Sequence, residues 1–288
     1  MPDRVSELYR TAFVTGATGG LGRAFVKMLL VEGVQVWGTS RDPARLTGFT
    51  AASAGARFTP VALDLAQPAA AEAIFGQSAE EAGGSFDLVI QNAGYGVFSE
   101  FTAADFATWQ AQLDSLLVTT ARLSHVALRR MRARPQGCLV HVSSLAAEFP
   151  LPFMTGYNVA KAGLSALSES LQFETRGTPL SVIDFRPGDY RTAFNQAMHT
   201  RTSAASPAAS VPGAGDPRLA SVWETLEANL QSGPPASRAA ADLRRALLRR
   251  QRGVVRSGSF FQARLAPLLA RLAPTSLVRT ATARYFGL

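Results

Sequence analysis

The chain has 288 residues, 47% of them hydrophobic and 17% charged, which is ample for the core of a single α/β domain spanning 1–288. Its one cysteine, Cys138, excludes internal disulfides and cysteine-ligated zinc, and no uncharged apolar run approaches the ~18 residues of a spanning helix, so a soluble, cytoplasmic protein is expected. The net charge of +8 is uneven: from Arg238 onward eleven arginines face only Asp242, a net +10, which leaves −2 for the preceding 237 residues and argues against a nucleic-acid partner.

Thr11 to Thr15 predicts a short buried strand. Behind it stands the glycine turn Gly16-Ala17-Thr18-Gly19-Gly20-Leu21-Gly22, then an amphipathic stretch from Arg23 to Val31. Strand, glycine turn and helix form a phosphate cradle, because free amides and the helix dipole meet the charge where glycines let a diphosphate approach. Val34 to Gly38 predicts the second strand. Ser40 and Arg41 stand where a carboxylate would otherwise hold a ribose hydroxyl, and both can donate to a 2′-phosphate, which favours NADP (NADPH) over NAD. The competing arrangement is a surface Arg41 paired with Asp42.

Phe58 to Leu63, ending at Asp64-Leu65, and Phe86 to Gln91, ending at Asn92-Ala93-Gly94, predict the third and fourth strands. Cys138 to Val142 is the fifth and delivers Ser143 and Ser144 at its C-terminal end. Val182 to Phe185 is the sixth, leading into Pro187-Gly188-Asp189-Tyr190-Arg191-Thr192, and Gly253 to Ser257 is the last. Helical stretches between the runs predict a Rossmann-type, doubly wound parallel sheet of about seven strands with helices on both faces. Cys138, His125 and His141 read as structural.

From Tyr157, apolar residues recur at helical spacing, so Tyr157 and Lys161 share a face. A cation beside a phenol favours the phenolate, and Ser144 can donate to the oxygen that Tyr157 protonates, a set suited to interconverting a ketone and an alcohol. Arginine supplies nearly all positive charge; the only lysines are Lys27 and Lys161.

The chain resembles the short-chain dehydrogenase/reductase family from about Thr11 to Thr192. Thr15, Gly16, Gly20 and Gly22 fit its TGxxxGxG turn, Asn92-Ala93-Gly94 its NAG segment, and Tyr157 and Lys161 its YxxxK, with Ser144 thirteen positions earlier. The resemblance implies catalysis by Ser144, Tyr157 and Lys161. It implies cofactor contacts at Gly16, Thr18, Gly20, Leu21, Gly22, Ser40, Arg41, Asp64 (adenine), Leu65, Asn92, Ala93, Gly94, Tyr157, Lys161, Pro187, Gly188, Tyr190 and Thr192. It also implies a homo-oligomer built through long central helices. One departure stands out: Leu116 occupies the place of an asparagine that holds a water in the family's proton path. Ser115 substitutes, the relay differs, or turnover is slow. Gln91 replaces the first asparagine of NNAG conservatively.

Tyr95, Phe149, Phe153 and Phe194, with Val97, Leu151 and Tyr190, flank these groups and imply an apolar small-molecule substrate, with no metal. Residues 193–235 are expected to form a mobile substrate loop, from His199 to Pro217, followed by helical residues. Arg218 to Leu230 and Ser237 to Arg250 read as amphipathic helices. In 259–288, Phe260, Phe261, Leu265, Leu268, Leu269, Leu272, Leu277 and Phe286 alternate with arginines. This stretch is expected to be a helical cap with its apolar face on the domain, or else a contact for anionic membrane or an acidic partner. The leading expectation is an NADP-dependent oxidoreductase; the rivals are a cofactor-binding, non-catalytic or redox-sensing protein and an epimerase or dehydratase.

Overall fold

The computed structural model describes residues 2–49, 54–194, 198 and 216–288. Its centre is a sheet of seven strands, β1 Thr11–Val14, β2 Gln35–Ser40, β3 Arg57–Ala62, β4 Leu88–Gln91, β5 Gly137–Val142, β6 Leu180–Pro187 and β7 Gly253–Ser257. They lie in the order β3-β2-β1-β4-β5-β6-β7, every pair parallel. This is the Rossmann-type, doubly wound parallel sheet that the alternation predicts.

The helices are α1 Gly20–Val31, α2 Pro68–Glu81, α3 Phe106–Leu113, α4 Thr119–Met131, α5 Thr155–Glu174, α6 Pro217–Ser232, α7 Ala236–Leu248, α8 Ala266–Leu272 and α9 Thr275–Tyr285. Successive strand residues point to opposite faces, and each face finds a helical layer. Ala12, Val14, Ile90, Val140, Ile183 and Phe185 pack with Phe25, Leu29, Leu243 and Leu247 of α1 and α7. Phe13, Trp37, Val89, Leu139 and Val182 pack with Phe75, Leu123, Ala127 and Met131 of α2 and α4. Each such Leu or Phe burial contributes ~1.5–3 kcal/mol.

The chain diverges to opposite sides of the sheet between β1 and β4, and that switch point opens a crevice beyond the strands' C-terminal ends. A third apolar cluster roofs it, with Phe98, Leu116, Met154, Tyr157, Met198, Val222, Leu226 and Phe286 all buried. Phe286 brings the C-terminus into this roof. Cys138 is buried in β5.

The C-terminal cap departs from the expectation that its apolar face packs on the domain. Of the eight apolar residues named there, only Phe286 is buried; Phe260, Phe261, Leu265, Leu268, Leu269, Leu272 and Leu277 are exposed. The cap is anchored at its ends, where Gln262 donates to Asp189 and the Phe286 carbonyl accepts from Ser221, while α8 and α9 between them bury only Pro267. Residues 199–215, most of the loop expected to be mobile, lie outside the described residues. Among the described residues, no helix is long and apolar enough to cross a membrane.

Candidate active site

A single cavity of about 1900 Å³ runs along the crevice, and every cofactor and catalytic residue named from the sequence lines it. One end is the glycine turn. Gly16 has φ +68°, which favours glycine, and a Cβ at Gly22 would stand 2.1 Å from the Gly16 carbonyl oxygen. Thr192 closes on this turn so tightly that a Cβ at Gly20 would meet its methyl at 2.4 Å. Thr15 locks the neighbouring strand: its hydroxyl accepts from the amides of Asn92 at 2.9 Å and Ala93 at 3.0 Å, while Asn92 Nδ2 donates to the Thr15 carbonyl at 3.0 Å. The first turn of α1 presents amides free of intrahelical partners toward the space thus left bare. These residues fit a dinucleotide diphosphate.

At the end of β2, Asp42 accepts from its own turn at Ala44 N, 3.0 Å, and makes no ion pair with Arg41 among the described residues. The short turn Pro43–Arg45 that it caps carries Arg45 to the cavity beside Arg41. Arg45 was not singled out from the sequence, although Asp-Pro is itself a turn signal placing it there. Asp64 caps Ala66 N at 3.0 Å and borders the same end.

The other end holds the proposed chemistry. Ser144 follows β5 in extended backbone and accepts from Ala146 N at 3.0 Å, and it hydrogen-bonds the Tyr157 hydroxyl. Asn158 orients the approach to α5 by clamping Leu151, accepting from its amide at 3.0 Å and donating to its carbonyl at 2.7 Å. Lys161, one turn on from Tyr157, is buried; its Nζ donates to the Val142 carbonyl at 2.7 Å and lies 5.6 Å from the centre of the Tyr157 ring.

The expectation of a phenol made acidic by this lysine is not met: the lysine does not lower the phenol. Burial pushes Tyr157 up to about 12; the Ser144 hydrogen bond pulls it down and the charge of Asp189 raises it further. The Lys161 ammonium is over the ring and spends a proton on a backbone carbonyl. Burial likewise lowers Lys161 to about 8, opposed by the charge of Asp184. Tyr157 is therefore a neutral phenol at pH 7, poised to give its proton.

Tyr95, Phe149 and Phe194 line the cavity, with the Phe194 ring centre 5.7 Å from that of Tyr157. Phe153 and Val97 do not line it, which corrects their assignment to the pocket. Phe153, at φ +58°, turns its ring onto Phe98 and its carbonyl to Ser99 N, and Val97 packs with Trp109 and Ala104. Leu151 and Met154 take the wall instead. Tyr190 borders the cavity but spends its hydroxyl on Ser257 at 2.5 Å.

The sequence reading missed Asp189, whose carboxyl is raised by burial and receives Gln262 Nε2 at 2.5 Å, and the wall formed by Leu226, Asn229, Leu269, Leu277 and Tyr285. Only folding brings these distant segments to the site. Leu116 lies in a π-helical turn, Asp114–Val118, joining α3 to α4; it is buried against Tyr157 and Met154, with Ser115 beside it at the cavity. Gln91 Nε2 donates to Ser124 at 2.9 Å, and the buried His141 ring bonds Ser124 at 2.8 Å and Ser168 at 2.7 Å, which is a structural role.

With this geometry described, the comparisons with known proteins identify the lineage. The family model for short chain dehydrogenases matches residues 10–203. The chain belongs to the short-chain dehydrogenase family. This short-chain dehydrogenase is similar to an uncharacterized oxidoreductase of Myxococcus xanthus, 36% identical over 183 residues, which are 62% of this chain and 72% of the relative. It is also similar to a probable NADP-dependent dehydrogenase of Haemophilus influenzae, 31% identical over 180 residues, 62% of this chain and 70% of that one. A short-chain dehydrogenase structure from Streptomyces avermitilis superposes with a TM-score of 0.75 at 24% identity, covering 96% of this chain and 98% of its own, which attests the fold. As a member of this family, the chain is an oxidoreductase.

Proposed function

We propose that this short-chain dehydrogenase uses NADP(H) and interconverts a ketone or aldehyde and an alcohol on an apolar small molecule, with reduction favoured at neutral pH. The observation that carries the reading is the buried, neutral Tyr157 phenol bonded to Ser144 and adjoining Lys161, in the same cavity as the glycine turn. When bound, the dinucleotide supplies or takes up the hydride. The chain supplies the rest: Ser144 orients the carbonyl oxygen, Tyr157 Oη protonates it, and the Lys161 ammonium offsets the charge left on the phenolate. Gly16, Gly20, Gly22 and Thr192 would hold the diphosphate, with Arg41, Arg45 and Ser40 at the phosphorylated ribose. The NADP assignment is supported by these two arginines, by an Asp42 engaged in its own turn, and by the likeness to the probable NADP-dependent dehydrogenase of Haemophilus influenzae.

A second reading, a cofactor-binding protein without turnover, is favoured by one observation. Leu116 is buried and apolar beside Tyr157, so it cannot hold a relay water. A panel of apolar ketones assayed by NADPH absorbance separates the two. Turnover that falls by roughly 10²–10⁴-fold in Tyr157→Phe, with NADPH still bound, supports the enzyme. Tight NADPH binding without turnover on any ketone supports the second reading. Arg41→Ala is expected to weaken NADPH binding on the order of tenfold and to leave NADH binding unchanged.

The reductive rate carries a pH signature. Lys161, lowered to about 8 by burial, loses its charge above that pH, and the phenolate formed at Tyr157 is then unsupported. Reduction is therefore expected to be flat below about pH 8 and to decline above it.

A further inference from the structure

The C-terminal cap exposes an apolar stripe in which Leu265, Leu268 and Leu272 serve neither the core nor the cavity. Leu265, Leu268, Leu269 and Leu272 recur at i, i+3, i+4 and i+7, so they share one face of the segment formed by the π-helical turn Phe261–Leu265 and α8. Leu268 is 56% exposed and Leu272 78%, Phe261 and Leu269 are exposed alongside, and Phe260 and Leu277 extend the patch. A surface this apolar on a single chain marks an interaction site.

Its electrostatics select the occupant. Residues 243–288 hold ten arginines and no aspartate or glutamate. Arg264 and Arg271 flank the stripe one heptad apart, and Arg279 and Arg284 follow on α9, all exposed. A second copy of the same face would set arginine against arginine. An anionic bilayer accepts both components, leucines among the acyl chains and guanidinium groups among the phosphates.

Position adds a use. Phe261, Leu269, Leu277 and Tyr285 belong at once to the exposed patch and to the cavity wall, so the patch borders the mouth through which a ligand reaches Tyr157. We propose that the Phe261–Leu272 face docks on an anionic lipid surface and sets the mouth of the cavity against it, so that an apolar substrate enters from the membrane. The docking rests on the exposed residues alone, whereas substrate entry rests on the oxidoreductase reading; vesicle binding, which needs no substrate, keeps the two separable.

The test is co-sedimentation of the full chain with phosphatidylcholine vesicles, with or without phosphatidylglycerol. Pelleting is expected only with phosphatidylglycerol and is expected to weaken as salt is raised. Leu268→Ser/Leu272→Ser is expected to reduce the partition coefficient on the order of tenfold or more. Arg264→Gln/Arg271→Gln is expected to reduce it by roughly fivefold per arginine. None of these four residues lines the cavity, so circular dichroism and NADPH binding are expected to match the parent. Failure to pellet, equal pelleting with neutral vesicles, or pelleting indifferent to both variants would overturn the proposal. So would a concentration-dependent dimer, seen by analytical ultracentrifugation, that these same variants abolish, because the occupant would then be a second copy.

Discussion

The glycine turn and the C-terminal cap, both bordering the cavity, are built on opposite physical terms. At the glycine turn, space is so short that a single added carbon at Gly22 would collide with the Gly16 carbonyl at 2.1 Å and with Asn92 Nδ2 at 2.6 Å, and Thr15 and Asn92 pin the amides of Asn92 and Ala93 and the carbonyls of Thr15 and Gly16. In the cap, the residues that would ordinarily make a core are left outside, with only Pro267 buried in α8 and none in α9. The first is specified by steric exclusion and hydrogen bonds; the second is specified by the chemistry of whatever it faces.

The largest expected effect comes from breaking the tight end. Gly22→Ala forces the turn apart, with an expected cost of about 1–3 kcal/mol in urea unfolding. NADPH affinity, read by fluorescence titration, should fall by roughly two orders of magnitude, because the helix amides lose their alignment. An affinity within a factor of a few of the parent would show that the turn has slack the distances deny.

A change in pH sharpens the comparison, since the cap carries only arginines whereas the buried sheet carries His141. Burial lowers His141 to about 4 from 6.5, opposed by the charge of Asp184 and reinforced by that of Lys161. Below pH 6.5 the unfolded chain takes up a proton there that the folded chain refuses, so stability falls as pH drops toward 4, by about 3 kcal/mol from this group. Denaturant midpoints measured across this window should decline in the parent, and the decline should be shallower in His141→Gln. Parallel slopes would remove His141 as the cause.

The smallest effect is expected where intuition places a large one. Leu272→Ser in the cap should change unfolding free energy by no more than about 0.5 kcal/mol, whereas Leu29→Ala, on the fully buried face of α1, should cost about 2–5 kcal/mol. A substantial loss from Leu272→Ser would mean that the cap is packed after all.

Much of the sheet and the site was readable because its constraints are local. Gly253 to Ser257 was anticipated to the residue, and the other strands to within about two residues, since each is a short run rich in apolar and β-branched residues that gives way to small, polar or turn-forming residues. Tyr157 and Lys161 share a helical face by spacing alone. Arg45 and Phe153 were misjudged for the same reason in opposite directions: Asp42 capping swings the one into the cavity, and a left-handed backbone turns the other out of it.

By itself the sequence determined the alternation of strands and helices, the glycine turn and the sharing of a face by phenol and ammonium. These follow from periods of two and 3.6 residues and from bonds between near neighbours. Only the tertiary structure decided that burial keeps Tyr157 a neutral phenol, that Asp189 and Gln262 meet beside it, and that the C-terminal leucines face outward. Desolvation and exposure are properties of what surrounds a group in space, and those surroundings come from segments far apart in the chain.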